Sequence, residues 1–425
     1  MKILRTVPIF ILASLLVGCS SGRDINNNKL VIWAWDNNYN IPIMEQAEKV
    51  YKEETSQDIE FDIKEMSNAD TKSKLLTSVA SNVTKGLPNI MLVDDDDLQN
   101  LISNQPEIFV DLSEHIDFKE FVPYKVKNAQ YQDGIYAMPF DVGTAGLFYR
   151  QDILEKAGFS EEDLQDLTWQ DFLQVVEKTN EITGNYVLSF VPNRATHYLQ
   201  IAMQSAGKWY FDDEGNVTIK NNEVLKEMLP VLKELHDKKL VKPVDYFSPE
   251  GVGAVTSGEI PVVISGVWFI PTIKSAKEFK GKWNYVPVPK LENVETATHF
   301  SNLGGASWVV LKDAPNKDIA IDFLKKVYAG NQKFYQEILV KHSAIGSYLP
   351  ARDVEGFKKE DDYFQNKMVY KDFSEWSEKV PSVNYHADTA IAVEAIRSVL
   401  QPYYDEQLTL DETLEKAETY YLKQK

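Results

Sequence analysis

Between Lys29 and Val93 the chain alternates apolar strands with amphipathic helices, and this alternation limits its fold more than any other feature. Lys29 to Trp35 (KLVIWAW) is a dense, β-prone run of strand length. Met44, Ala47, Val50 and Tyr51 then recur at helical spacing through Glu54. Ile59, Phe61 and Ile63 alternate with polar residues as a second strand. Asp70 to Val83 reads as a helix, and Asn89 to Val93 (NIMLV) as a third, buried strand. Two helices set between three strands predict a parallel sheet with helices on its faces, an α/β unit. Similar signals follow downstream. Thr168 with Asp171 three residues on forms a capping box that starts a helix from Trp169 to Asn180. Asn222 to Lys239, Ala320 to Ala329, Thr389 to Leu400 and Leu410 to Lys425 read as helices. The third of these is apolar on two faces and is expected to be buried. Pro261 to Ile264 is a buried-strand candidate, and Asp212-Asp213-Glu214-Gly215 a hairpin turn. There is no internal repeat and no low-complexity segment.

The N-terminus carries a different message. Lys2 and Arg5 precede an apolar stretch from Val7 to Val17, then Leu16-Val17-Gly18-Cys19. Charged start, short apolar core and small residue before the cut define an export signal over residues 1–18. The stretch is too short for a membrane span, which needs about 20 apolar residues. Its last four residues match a bacterial lipobox, so Cys19 is expected to be lipidated and to anchor the mature chain on the outer face of a membrane. Residues 19–28 (CSSGRDINNN) are small and polar, a flexible tether. Cys19 is the only cysteine in 425 residues, so the fold has no disulfide of its own. The net charge of −19 argues against nucleic acid or anionic lipid as a partner. Eight Trp, 21 Tyr and 20 Phe in so polar a chain call for a ligand as well as a core.

In open α/β sheets, ligands bind beyond the carboxyl ends of the strands. The first strand ends at Trp35-Asp36-Asn37 and the third at Asp94-Asp95-Asp96-Asp97, so parallel strands bring both clusters to one rim. An indole beside carboxylates suits a sugar. The ring covers the apolar C–H face, and the carboxylates accept bonds from neighbouring hydroxyls. Trp33 lies within the strand and is expected in the core, whereas Trp35 is the last strand residue and is expected at the ligand. The Asp run lacks the alternating ligands of a calcium loop. No cofactor and no metal is implied, and no catalytic residue is assigned. H-E-x-x-H is missing from the sequence, and its six His form no i, i+4 pair.

Asp133-Gly134-Ile135-Tyr136-Ala137-Met138-Pro139-Phe140-Asp141, followed by Leu147-Phe148-Tyr149-Arg150, Asp152 and Ala157-Gly158-Phe159, resembles the solute-binding proteins of carbohydrate ABC transporters, the relatives of maltose-binding protein. The first strand, Trp169 with Phe172, and Asn302-Leu303-Gly304-Gly305-Ala306-Ser307-Trp308 extend the resemblance in order from Lys29 to about Leu324. It implies an α/β, two-lobed, type II periplasmic-binding-protein-like fold. Each lobe is then a mostly parallel sheet flanked by helices, with hinge strands between the lobes. The lobes would comprise residues 29–141 with 305–348, and 142–304 with 349–425. Crossings are expected near Asp141 to Thr144, Ser301 to Ala306 and Ser347 to Ala351. The implied ligand contacts are Trp35, Asp36 and Asn37, Asp95 or Asp96, Asp141 and Thr144, Asn302 and Gly304. Trp209, Trp268 and Tyr385 would add contacts from the second lobe. The implied function is capture of a carbohydrate by a monomeric, lipid-anchored extracellular protein that delivers it to the permease of an ABC importer. A quaternary amine, a peptide, or glycoside hydrolysis by a carboxylate pair stand as alternatives.

Overall fold

The computed structural model describes residues 28–81, 83 and 86–425. The export signal, Cys19 and most of the tether lie outside them. Strands β1 (Lys29–Ala34), β2 (Glu60–Glu65) and β3 (Ile90–Asp94) are connected by helices α1 (Asn40–Thr55) and α2 (Asn68–Ala80). β1 pairs in parallel with both neighbours, from Lys29 opposite Glu60 to Ala34 opposite Glu65, and with Ile32 opposite Ile90. The helical spacing in α1 delivers Met44, Ala47, Val50 and Tyr51 to the core together with Ile43. Ser67 caps α2 by accepting from the Asp70 amide. Two later strands complete this sheet. They are β4 (Met138–Pro139) and β8 (Ala306–Val310), giving the order β2-β1-β3-β8-β4. β8 runs antiparallel to β3, with Ala306 opposite Asp94.

The second lobe is centred on β5 (Ala145–Arg150), flanked by β6 (Val262–Gly266) and β7 (Trp283–Val286). Here the expectation of a mostly parallel sheet is corrected, because β5 is antiparallel to both neighbours. Among the described residues, parallel pairing in this lobe joins Thr168 to Lys290, and Leu188–Ser189 to Val241–Lys242, which abuts β6 through Val262 N–H to Val187 O at 3.0 Å. The cause is the route of the chain. β5 enters from the other lobe and so starts at the shared edge, whereas β6 arrives there, with Gly266 opposite Ala145. β8 is antiparallel in the first sheet for the same reason.

Three segments lie side by side between the sheets. Val142 N–H bonds to Ile345 O (3.0 Å), Ser347 N–H to Phe140 O (2.8 Å), and Leu303 N–H to Gly143 O (2.8 Å). The third segment runs at Ile345–Ser347, ahead of the predicted 347–351, where Leu349–Asp353 instead forms a 3₁₀ turn. The cores follow the sheets. One contains Ile32, Met44, Leu92, Trp308, Phe323 and Ile338, and another Tyr149, Trp169, Leu199, Leu229, Ile396 and Leu414. Helix Thr389–Tyr404, expected to be buried on two faces, packs one face on the latter and leaves Glu394, Arg397 and Ser398 exposed. Among the described residues no helix is long and apolar enough to cross a membrane.

Candidate ligand site between the lobes

A cleft of about 540 Å³ opens where the two sheets meet, within the roughly 300–1,000 Å³ typical of small-ligand sites. The first lobe supplies Trp35, Asp36, Asn38, Tyr39, Asn40 and Asp94, all at or just beyond the ends of β1 and β3. Asp141, Gly304, Gly305 and Ala306 come from the connecting segments, and Trp268, Pro271 and Thr272 from the second lobe. Lys341, His342 and Ser343, at the end of helix Gln332–His342, complete the wall.

The loop after β1 is a compact turn. Asp36 adopts a left-handed φ of 66°, its carbonyl accepts from the Tyr39 amide, and its carboxylate accepts from the Asn38 amide. This turn leaves the Trp35 ring half-buried against the core with its free side on the cleft. It also aims Tyr39 inward, where its hydroxyl donates to Asp141 Oδ2 at 3.1 Å. The other oxygen of Asp141 accepts from the Ala306 amide at 2.8 Å. Burial pushes the Asp141 carboxyl above the usual carboxylate range, against the pull of Lys125 and the Ala306 amide. Burial likewise raises Asp94 well above that range, helped by the charge of Asp96.

Across the cleft, Trp268 follows Gly266 at the end of β6. A side chain at Gly266 would come within 2.2 Å of the indole nitrogen, so glycine is what lets the ring lie against the backbone. The indole N–H donates to Leu303 O at 2.8 Å, and Phe247 stacks on the ring at 5.3 Å and 18°. One face of Trp268 is thereby spent on packing while the residue still borders the cleft. Gly305, at φ 109°, is a close-approach glycine. A Cβ there would meet Asp95 Oδ2 at 2.8 Å.

Several residues expected at the ligand lie elsewhere. Asp95 is buried in an ion pair with Lys125, its other oxygen accepts from Ser307 Oγ at 3.2 Å, and it does not line the cleft. β3 extends one residue further than NIMLV, so Asp94 and not Asp95 sits at the strand end. Asp96 is exposed near Gln200 of the other lobe, outside the cleft wall. Asn37 is exposed and points off the wall, where Asn38 takes its place because of the turn. Thr144 is fully buried between the lobes. Asn302 is consumed by the connecting segments. Its Oδ1 accepts from Tyr124 Oη (2.6 Å) and the Gly143 amide (3.0 Å), and its Nδ2 donates to Gly304 O. Trp209 is only 4 % exposed and donates to Thr389 Oγ1. Tyr385 packs on Trp209 at 5.6 Å and donates to Gln204 Oε1. Trp209 thus belongs to the second core, whereas Tyr385, partly buried against it, faces Asp95 and Asp96 of the first lobe outside the cleft wall.

The wall residues absent from the sequence reading are Asn38, Tyr39, Asn40, Pro271, Thr272, Ala306 and Lys341 to Ser343. The strand-end rule reaches Tyr39 and Asp94 once β1 and β3 are given their full loops. No local signal marks His342 or Ser343. Trp33, placed in the core by the sequence, is 1 % exposed, with Lys74 Nζ over its ring at 4.6 Å. No cluster of three or more metal-ligating side chains occurs among the described residues.

With two lobes, crossing segments and an aromatic cleft in place, comparison with known proteins gives the class. The family model of bacterial extracellular solute-binding proteins matches residues 46–366. The chain is 40% identical over 368 residues to a lactose-binding protein of Rhizobium radiobacter, covering 85% of this chain and 86% of the relative. It is 24% identical over 433 residues to an arabinooligosaccharide-binding protein of Bacillus subtilis (strain 168), covering 98% of each. This chain belongs to the bacterial extracellular solute-binding proteins. Among solved structures, the sugar-binding protein MalE from Xanthomonas citri superposes with a TM-score of 0.77 at 16% identity, over 93% of this chain and 98% of the other. An ABC-transporter-associated binding protein from B. animalis subsp. lactis Bl-04, in complex with β-1,6-galactobiose, superposes at 0.73 with 20% identity, over 93% and 98%. The fold is thus the two-lobed, type II binding-protein fold.

Proposed function

We propose that this protein captures a carbohydrate of two or more units between its lobes and delivers it, chemically unchanged, to the permease of an ABC importer. The observation that carries the reading is the pairing of Trp35 and Trp268, one from each lobe, across a cleft that also holds Asp94 and Asp141. Indoles cover the apolar faces of sugar rings, and buried carboxylates accept strongly from hydroxyls. The names of the relatives support the same ligand class. The three segments between the sheets act as the hinge, and closure is driven by contacts that a ligand makes with both lobes at once. On this reading the protein works as a monomer and without cofactor.

A thermal-shift screen of the purified protein against lactose, galactobiose and arabinobiose tests the reading. A sugar at 100 times its Kd should add ~2.7 kcal/mol of stability, and chromatography should recover it intact. Stabilisation by none of these sugars, or appearance of monosaccharide products, would overturn it. Membrane anchorage through Cys19 on the extracytoplasmic face belongs to the same proposal. Cys19→Ala should move the protein from the membrane fraction to the medium with unchanged affinity, and membrane retention of that variant would refute the anchor.

A further inference from the structure

A second cavity, of about 460 Å³, adjoins the main cleft, and Ser343 lines both. It too lies between the lobes. Leu339 and Val340 face it from helix Gln332–His342, and Lys274, Glu360 and Tyr370 from the other side. The partition between the two cavities includes one hydrogen bond, from the Tyr370 hydroxyl to Ser343 Oγ at 2.7 Å. The cleft is not open in the same way toward helix α3 (Asp95–Asn104). There Asn100 Nδ2 donates to Ala387 O at 2.9 Å, so the lobes already touch.

The second cavity combines an apolar strip with polar groups. Val340 is 60% exposed, unusual for a valine on a well-packed helix, and offers a surface to the C–H face of a ring. Lys274 is held by Asp361 at 2.6 Å, which fixes its ammonium at the wall while leaving donors free. Two cavities that each fall within the range of about 300–1,000 Å³ exceed together what one small ligand fills. From this juxtaposition we infer that the ligand is an oligosaccharide. Its first units fill the main cleft, and its further units pass Ser343 into the compartment under Val340. The inference rests on the carbohydrate reading above and adds to it the direction and length of the chain.

Calorimetric titration of the purified protein with two series tests it: lactose with its galactosyl-extended tri- and tetrasaccharides, and arabinobiose with arabinotriose and arabinotetraose. In a series that binds, affinity should rise about tenfold or more from the disaccharide to the longer members, since added contacts come at little further cost in overall freedom. Val340→Arg, an exposed substitution that fills the second compartment, should abolish this gain while leaving disaccharide affinity within about twofold. Disaccharide affinity then also reports that the variant is folded. The inference is overturned if longer members bind no better than the disaccharide in every series that binds. It is equally overturned if Val340→Arg keeps the gain. Binding of the disaccharides without a length effect sinks this inference alone, whereas failure of every sugar in both series sinks the carbohydrate reading and this inference with it.

Discussion

Trp35 and Trp209 present the same kind of side chain in two regions that the fold uses in opposite ways. Trp35 stands at the carboxyl end of β1, half-buried, with the Asp36 turn holding its ring on the cleft. Trp209 follows a helix instead of a strand. Its N–H is satisfied by Thr389 and its ring is closed in by Tyr210 and Tyr385. The contrast teaches that an aromatic ring becomes available to a ligand through its place on the scaffold and not through its chemistry. A strand end delivers it to the gap between lobes, whereas a helix–loop junction returns it to the core.

The comparison breaks most visibly through stability. Trp209→Ala removes a ring that is 4 % exposed and should destabilise the protein by about 3–5 kcal/mol in chemical denaturation. The folded fraction should retain near-parental affinity. A full loss of binding with unchanged stability would put Trp209 at the ligand after all. Trp35→Ala should do the reverse, weakening sugar binding by ~2 kcal/mol in calorimetry while leaving the unfolding midpoint nearly in place. If both variants shift stability and neither shifts affinity, the two rings are equivalent and the site has been misplaced.

The smallest effect expected is with pH. Asp94 and Asp141 have carboxyls raised by burial, so they take up protons above the ordinary carboxylate range near about 4. The ionised form is the stronger acceptor, so affinity should fall as pH drops through those raised values, earlier than exposed carboxylates would dictate. Their contribution to the stability of the empty protein has the opposite sign. The folded state holds these protons more tightly than the unfolded chain, so the contribution is greatest at low pH and is lost as pH rises through the folded pKa. Calorimetry from about pH 7.5 to about pH 5 reads the first effect, and Asp94→Asn should flatten it. A profile that stays flat in the parent would separate these carboxylates from the ligand.

What the sequence determined by itself was local and periodic. The alternation from Lys29 to Asp94 sets three parallel strands and two helices, since apolar period and chain direction are written in adjacent residues. The Thr168–Asp171 capping box is equally local and stands at its helix start. The strand-end rule leads to Trp35 and Asp36, which border the cleft, as does Trp268, a position that the family resemblance implied. What only the tertiary structure decided was how distant segments share space. β5 and β8 run against their neighbours because they cross between lobes, which no local pattern records. Lys125, 30 residues from Asp95, turns that carboxylate into a buried ion pair and leaves Asp94 on the wall. His342 and Ser343 border the cleft because a helix packed on α1 happens to end there. Periodicity fixes which face of an element is buried, but which residue meets a ligand depends on the partners that other parts of the chain bring to it.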